Sequence, residues 1–164
     1  TEREKPLVVV IDDIPDSTRL LTETLVSAGY RVESAHSGAE GILLARRLRP
    51  VAVTLDVMMP GMDGWRVLQA MKADAQLSQI PVVVVSIVDN KPLGYRLGAS
   101  GYLVKPVEPN NLLHTLNSVM TAPSEDNAND YVLVVDDEFG VRELLVSALK
   151  QGGFRTRSAA STWR

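Results

Sequence analysis

Leu7-Val8-Val9-Val10-Ile11 is an unbroken apolar run, mostly β-branched, that stops at a pair of acids, Asp12-Asp13. Such a run suits a strand covered on both faces, and charged carboxylates cannot continue into a core, so the chain must leave the sheet there. The same arrangement recurs downstream. Val51-Ala52-Val53-Thr54-Leu55 runs into Asp56, Val82-Val83-Val84-Val85 into Ser86, and Tyr102-Leu103-Val104 into Lys105. Arg31-Val32-Glu33-Ser34-Ala35 is a strand of mixed polarity, as befits a sheet edge.

Helical patterns fill the intervals. From about Asp16 to Ala28, the residues Leu20, Leu21, Thr24, Leu25 and Ala28 are expected on one face, with Gly29 as a stop. Ser37-Gly38-Ala39-Glu40 carries capping-box spacing and opens a helix expected to bury Ile42, Leu43 and Leu48 before Pro50. A turn at Pro60-Gly61 precedes a helix near Trp65 to Ala73, and a short helical stretch falls between Lys91 and Leu97. Glu108 to Met120 supplies the last helix, with Leu112, Leu113, Leu116, Val119 and Met120 as its apolar face.

Five strand–helix units predict a doubly wound α/β fold, a (βα)5 flavodoxin-like three-layer sandwich, its parallel sheet ordered 2-1-3-4-5 with the mixed second strand at one edge. In such sheets ligands sit beyond the carboxyl ends of the strands, beside strand 1. Asp12, Asp13 and Asp56 all fall at those ends.

Composition bounds the chemistry further. The 164 residues include 17 Lys plus Arg, 20 Asp plus Glu, two His and no Cys. The absence of Cys removes disulfides, thiolate metal sites and cysteine nucleophiles. A net charge of −3 offers no global attraction to nucleic acid or to an anionic membrane, and no apolar run is long enough to span a bilayer. A cytoplasmic protein, with neither nucleic-acid nor membrane contact through this segment, is the expectation. The charged start, Thr1-Glu2-Arg3-Glu4-Lys5, lacks an initiator Met, which suggests a piece of something larger.

Three carboxylates at neighbouring strand ends repel one another unless a cation sits among them or one is protonated. Hard oxygens with no His or Cys beside them favour Mg²⁺, or Mn²⁺ in its place. Ser86 can offer a hydroxyl to a phosphoryl oxygen, and Lys105 an ammonium. Together they make a pocket able to bind Mg²⁺ and stabilise phosphoryl transfer to a carboxylate. A Mg²⁺-dependent phosphohydrolase is the competing reading, but its usual Asp-x-Asp motif on the first strand is not what the adjacent Asp12-Asp13 pair provides. A scaffold that binds partners without being phosphorylated is a third, disfavoured because every residue such a transfer needs is present.

Strand-Asp12-Asp13, strand-Asp56 followed by Met59-Pro60-Gly61-Met62-Asp63-Gly64, then Ser86 and Tyr102-Leu103-Val104-Lys105-Pro106, resemble a response-regulator receiver domain over roughly residues 5 to 121. The resemblance implies a phosphoacceptor module and not an enzyme in its own right. Asp56 would attack the phosphorus of a phosphohistidine on a histidine kinase or histidine phosphotransfer protein. Asp13, Asp56 and the backbone carbonyl of Met58 would ligate Mg²⁺, with Asp12 acting through water. Lys105 would contact the phosphoryl group, and its bond to Pro106 would be cis. Ser86 would shift and Tyr102 rotate inward, coupling the site to the surface of the fourth helix, fifth strand and fifth helix. Nineteen positions separate Ser86 from Lys105, a shorter spacing than is common in the family, with Pro92 and Gly94 weakening the fourth helix. That pattern resembles receivers of hybrid histidine kinases and multi-receiver regulators, and self-association through this face is not assumed. Met58 and Val88 occupy the positions that influence attack by water, and both are apolar. His36 and His114 lie in no kinase-type motif and are read as surface residues, and Trp65 as helix packing. Arg155, Arg157 and Arg164 are read as solvated surface.

Residues 122–130 read as a linker, after which the opening pattern restarts. Tyr131-Val132-Leu133-Val134-Val135-Asp136-Asp137 repeats Leu7 to Asp13 at an offset of 124, and Leu144, Leu145, Leu149, Gly153, Arg155, Ser158, Ala159 and Ser161 keep that register. Residues 131–164 are therefore expected to be the strand–helix–strand beginning of a second, truncated receiver domain.

Overall fold

The computed structural model describes residues 1–61, 63–121 and 132–160. The chain forms two compact units, Thr1–Ala122 and Pro123–Arg164. The expected linker over 122–130 lies outside the described residues, as do Tyr131 and Ser161.

In the first unit, strands β1 (Leu7–Ile11), β2 (Arg31–Ala35), β3 (Ala52–Leu55), β4 (Val82–Ser86) and β5 (Gly101–Val104) alternate with helices α1 (Pro15–Ser27), α2 (Gly38–Leu48), α3 (Gly64–Ala73), α4 (Lys91–Arg96) and α5 (Pro109–Met120). All neighbouring strands are parallel, in the order β2-β1-β3-β4-β5. This is the flavodoxin-like three-layer sandwich that the alternating pattern predicts, with polar β2 at an edge.

Each apolar strand feeds two cores because successive side chains alternate between faces. Val9, Ile11, Val53, Leu55, Val82 and Val84 pack with Val67, Leu68 and Met71 of α3. Val8, Val10, Val83 and Val85 pack with Leu21, Leu25, Leu112 and Leu116 of α1 and α5. Burying a side chain of this size contributes roughly 1.5–3 kcal/mol, so the valine-rich centre of the sheet is the main anchor of the fold.

Two expected faces are corrected. On α1 the buried residues are Thr18, Leu21 and Leu25, whereas Leu20 is 49 % exposed and Ala28 also faces solvent. On α2 the buried residues are Gly38, Gly41 and Ala45, and Leu43 is 64 % exposed. α2 sits so close to β1 that a Cβ on Gly41 would lie 2.3 Å from Ile11 Cδ1, so the small residues face the sheet. The capping box is half realised: Ser37 accepts from the Glu40 amide, but Glu40 Oε2 takes the His36 amide instead.

Pro92 and Gly94 both have places in α4. Pro92 occupies the first turn, where no amide is needed, and a Cβ on Gly94 would meet the Tyr102 ring at 2.7 Å. α4 is six residues long.

The second unit comprises β6 (Val132–Val135), α6 (Phe139–Gln151) and β7 (Thr156–Ala159), with β6 and β7 parallel. Their register, Val132↔Thr156 to Val135↔Ala159, reproduces the β1–β2 register, Val8↔Val32 to Ile11↔Ala35, at the same offset of 124. Among the described residues no helix is long and apolar enough to cross a membrane.

Candidate functional site

Ladder hydrogen bonds run to the very ends of the strands and set the site residues level with one another. The Asp12 amide donates to Ala35 O, the Asp56 amide to Ile11 O and the Lys105 amide to Ser86 O, at 3.0, 2.9 and 2.9 Å. The side chains that follow therefore converge beyond the sheet.

Carboxylate oxygens of Asp12, Asp13 and Asp56 all lie within 4.8 Å of one another. Asp12 and Asp56 are buried, at 1 % and 3 % exposure. Lys105 Nζ bridges them, 2.8 Å from Asp12 Oδ2 and 2.9 Å from Asp56 Oδ2. Backbone amides take the other oxygens: Ile14 N donates to Asp12 Oδ1 at 2.9 Å and Met58 N to Asp56 Oδ1 at 2.8 Å. Asp13 Oδ1 is buried without a hydrogen-bond partner. One ammonium against three carboxylates leaves a net deficit of positive charge, and an orphaned buried carboxylate oxygen is costly. Three clustered carboxylate oxygens, one from each acid and with no nitrogen or sulfur among them, fit a small divalent cation such as Mg²⁺.

Burial works against the charge on Lys105, but its hydrogen bonds to Asp12 and Asp56 and the field of both acids outweigh it, so the ammonium is held above the ordinary lysine value of 10.5. A raised value in the folded state stabilises the protein fully below the unfolded value, and the stabilisation is lost as pH rises through the folded one. The stability gap between wild type and Lys105→Met, measured by urea denaturation, should stay flat through the neutral and mildly alkaline range and narrow only above pH 10.5. A gap that narrows near neutrality would contradict this balance.

Ser86 is fully buried at the end of β4, and its hydroxyl accepts from the Val88 amide at 3.3 Å. Tyr102 is 5 % exposed, donating to Val88 O and accepting from Asn90 N at 3.2 Å. Its ring lies inward in this structure, stacked on Trp65 with centroids 6.4 Å apart. Trp65 is thus helix packing, as read from the sequence, but its partner is the tyrosine of the site. Met58 is 52 % exposed at the rim. Lys105–Pro106 is cis. His36 and His114 are both exposed, though His36 Nδ1 also lies 3.3 Å from Asp12 O.

Two side chains escaped the sequence reading. Ser17 Oγ donates to Asp12 Oδ2 at 2.6 Å, and Thr18 Oγ1 to Asp12 O at 3.2 Å. Hydroxyls in the first turn of α1, five and six positions after an acid, were the only available signal.

A model of the response regulator receiver domain matches residues 8–117. The chain belongs to the response-regulator receiver family. This receiver is 38% identical over 116 residues to protein PilH of Pseudomonas aeruginosa, an alignment covering 69% of the chain and 96% of PilH. It is 34% identical over 127 residues to the probable transcriptional regulator ycf27 of Porphyridium aerugineum, covering 77% of the chain and only 53% of that protein. Among solved structures, the receiver resembles chemotaxis response regulator CheY4 of Vibrio cholerae with a TM-score of 0.66 and 33% identity, covering 70% of the chain and 98% of CheY4. A response regulator from Chloroflexus aurantiacus gives a TM-score of 0.68 at 27% identity, covering 71% and 98%. A receiver is a signalling module and not an independent catalytic enzyme. The family match ends before the second unit begins.

Proposed function

We propose that the first unit accepts a phosphoryl group on Asp56 from a phosphohistidine of a histidine kinase or histidine phosphotransfer protein. The observation that carries the reading is the Lys105 ammonium shared between Asp12 and Asp56, beside an acid cluster with one oxygen still unpaired. An Asp56 carboxylate oxygen forms the new O–P bond while the P–N bond to the donor imidazole breaks, and the imidazole leaves with the bonding pair. Lys105 is within reach of the phosphoryl oxygens and balances their charge. Asp13, Asp56 and the Met58 carbonyl would hold Mg²⁺, or Mn²⁺, with Asp12 acting through water. When bound, the ion supplies charge neutralisation at the transferring group. Ser86 and Tyr102 report the change to the surface around α4, β5 and α5, a shift between two populations of one fold. Since Tyr102 is already inward, the response in this chain falls chiefly on Ser86 and the loop from Ile87 to Asn90.

The test is intact mass after incubation with Mg²⁺ and acetyl phosphate. One phosphoryl group, removed by hydroxylamine, is the expected product. No adduct, with Mg²⁺ binding demonstrated, would reduce the module to an interaction scaffold. The apolar side chains of Met58 and Val88 offer no polar group to orient an attacking water, so the adduct should be long-lived. Met58→Asn should shorten its lifetime several-fold in a decay time course. Rapid decay of the wild-type adduct would contradict that assignment.

The second unit we read as the opening of another receiver, supported by its matching register and its acid pair, Asp136-Asp137. A hybrid kinase or a multi-receiver regulator is the parent this arrangement suits.

A further inference from the structure

We infer that Ser17 is a positioning residue for phosphoryl transfer, a hydroxyl that holds Asp12 in place when Lys105 moves towards the incoming phosphoryl group. The inference rests on the phosphoacceptor reading above. Asp12 Oδ2 has two donors, Ser17 Oγ at 2.6 Å and Lys105 Nζ at 2.8 Å, while Oδ1 is held by the Ile14 amide. Lys105 is also bonded to Asp56 Oδ2, so one ammonium is divided between two buried acids. Contact with a phosphoryl group on Asp56 draws that ammonium away from Asp12. Without Ser17, Asp12 Oδ2 would then be a buried charged acceptor with no donor, and this penalty would resist the movement. With Ser17 in place, both oxygens of Asp12 keep a donor throughout, and the carboxylate plane stays fixed.

The second unit shows that the hydroxyl is not needed to build this corner. Glu138 N donates to Asp136 Oδ1 at 2.8 Å just as Ile14 N does to Asp12 Oδ1, and α6 begins at Phe139 as α1 begins at Pro15. Arg142 Nη1 donates to Asp136 O where Thr18 Oγ1 donates to Asp12 O. The counterpart of Ser17 is Val141, which has no donor. The strand–acid–helix turn therefore forms in both units, with the hydroxyl in the first and without it in the second.

The experiment follows the rate of phosphoryl uptake from acetyl phosphate in the full chain, with Mg²⁺ half-saturation read by intrinsic fluorescence. Ser17→Ala should slow uptake at saturating Mg²⁺ and donor by about tenfold. Its Mg²⁺ half-saturation should move less than about twofold, since the hydroxyl donates to the same oxygen with or without the ion. Ser17→Thr should restore the rate to within about twofold of wild type, because it restores the donor. Ser17→Cys keeps the size and weakens the donor, and should be as slow as Ser17→Ala, which keeps the test open if the alanine variant fails to fold. Wild-type rates in Ser17→Ala or Ser17→Cys would overturn the inference. So would failure of Ser17→Thr to rescue, or a parallel loss of Mg²⁺ affinity, either of which marks simple distortion of the site. A wild-type protein that takes up no phosphoryl group would instead bring down the phosphoacceptor reading, and this inference with it.

Discussion

Asp56→Asn should fold, bind Mg²⁺ weakly and carry no phosphoryl adduct after incubation with acetyl phosphate. The carboxamide can still accept the Met58 amide through its oxygen, replacing the bond that Asp56 Oδ1 makes at 2.8 Å. Its NH2 group then faces Lys105 Nζ, which sits 2.9 Å from Asp56 Oδ2, and two donors meet where a charge-assisted bond had been. What is lost is the anionic oxygen that the proposed transfer requires as its nucleophile. Folding should survive, because removing one of three crowded carboxylates relieves repulsion that Lys105 only partly offsets. Circular dichroism and a melting curve would verify the fold, and intact mass the missing adduct. An adduct on Asp56→Asn equal to that on wild type would place the phosphoacceptor elsewhere, and the geometry at Asp56 would need another explanation.

The second large effect is expected at a residue with no functional group. Gly64 opens α3 directly behind the loop that follows Asp56, and its amide donates to Val57 O. A Cβ there would lie 2.2 Å from Val57 Cα and 2.7 Å from Asp56 O. Both are backbone atoms, which cannot rotate aside as a side chain would. Gly64→Ala must push α3 away from β3 or displace the peptide that carries Asp56. We expect a loss of about 3 kcal/mol, the upper part of the range for forced overpacking. In a unit of this size that corresponds to a melting temperature lower by roughly 10 °C. Phosphoryl uptake should fall as well, since the Asp56 carbonyl is one of the atoms displaced. Gly61→Ala is the control. Gly61 has a φ of +88° but nothing within 4 Å of an added Cβ, so its cost is conformational only, about 1 kcal/mol. If Gly64→Ala melts no lower than Gly61→Ala, the close approach of α3 is not a constraint on the site.

The sheet order was readable because strand composition reports how many faces are covered. Leu7–Ile11 and Val82–Val85 are apolar throughout, whereas Arg31 and Glu33 can be accommodated only at an edge. The acids were readable for a related reason: a carboxylate directly after a buried run has nowhere to go but the end of the sheet. Helix faces were harder. Hydrophobicity favours Leu43, but α2 approaches β1 so closely that Gly41 and Ala45 fit and a leucine does not. On α1, Leu20 and Leu21 are equally apolar, and only the orientation of the helix on the sheet decides that Leu21 goes in. Ser17 was invisible because a hydroxyl opening a helix ordinarily reads as a cap, and its bond to Asp12 depends on how the turn at Ile14 and Pro15 folds back. The inward position of Tyr102 likewise follows from tertiary packing, with Gly94 and Trp65 closing around the ring.

The ammonium at the centre of the site has a further consequence for the order in which the molecule is built. Lys105 meets Asp12 across 93 positions of chain and Asp56 across 49. Asp12 and Asp56 leave the ribosome long before their counter-charge does, and closing so long a loop is an entropic cost met only when the fifth strand docks. Until then the chain holds a bare cluster of acids whose mutual repulsion opposes closing that end of the sheet. Docking of β5 both completes the sheet and offsets part of the cluster's charge, so a nascent or clipped chain lacking this strand has Asp56 but not the ammonium that partners it. If Asp56 is the phosphoacceptor, competence to receive a signal would thereby be tied to completion of the fold.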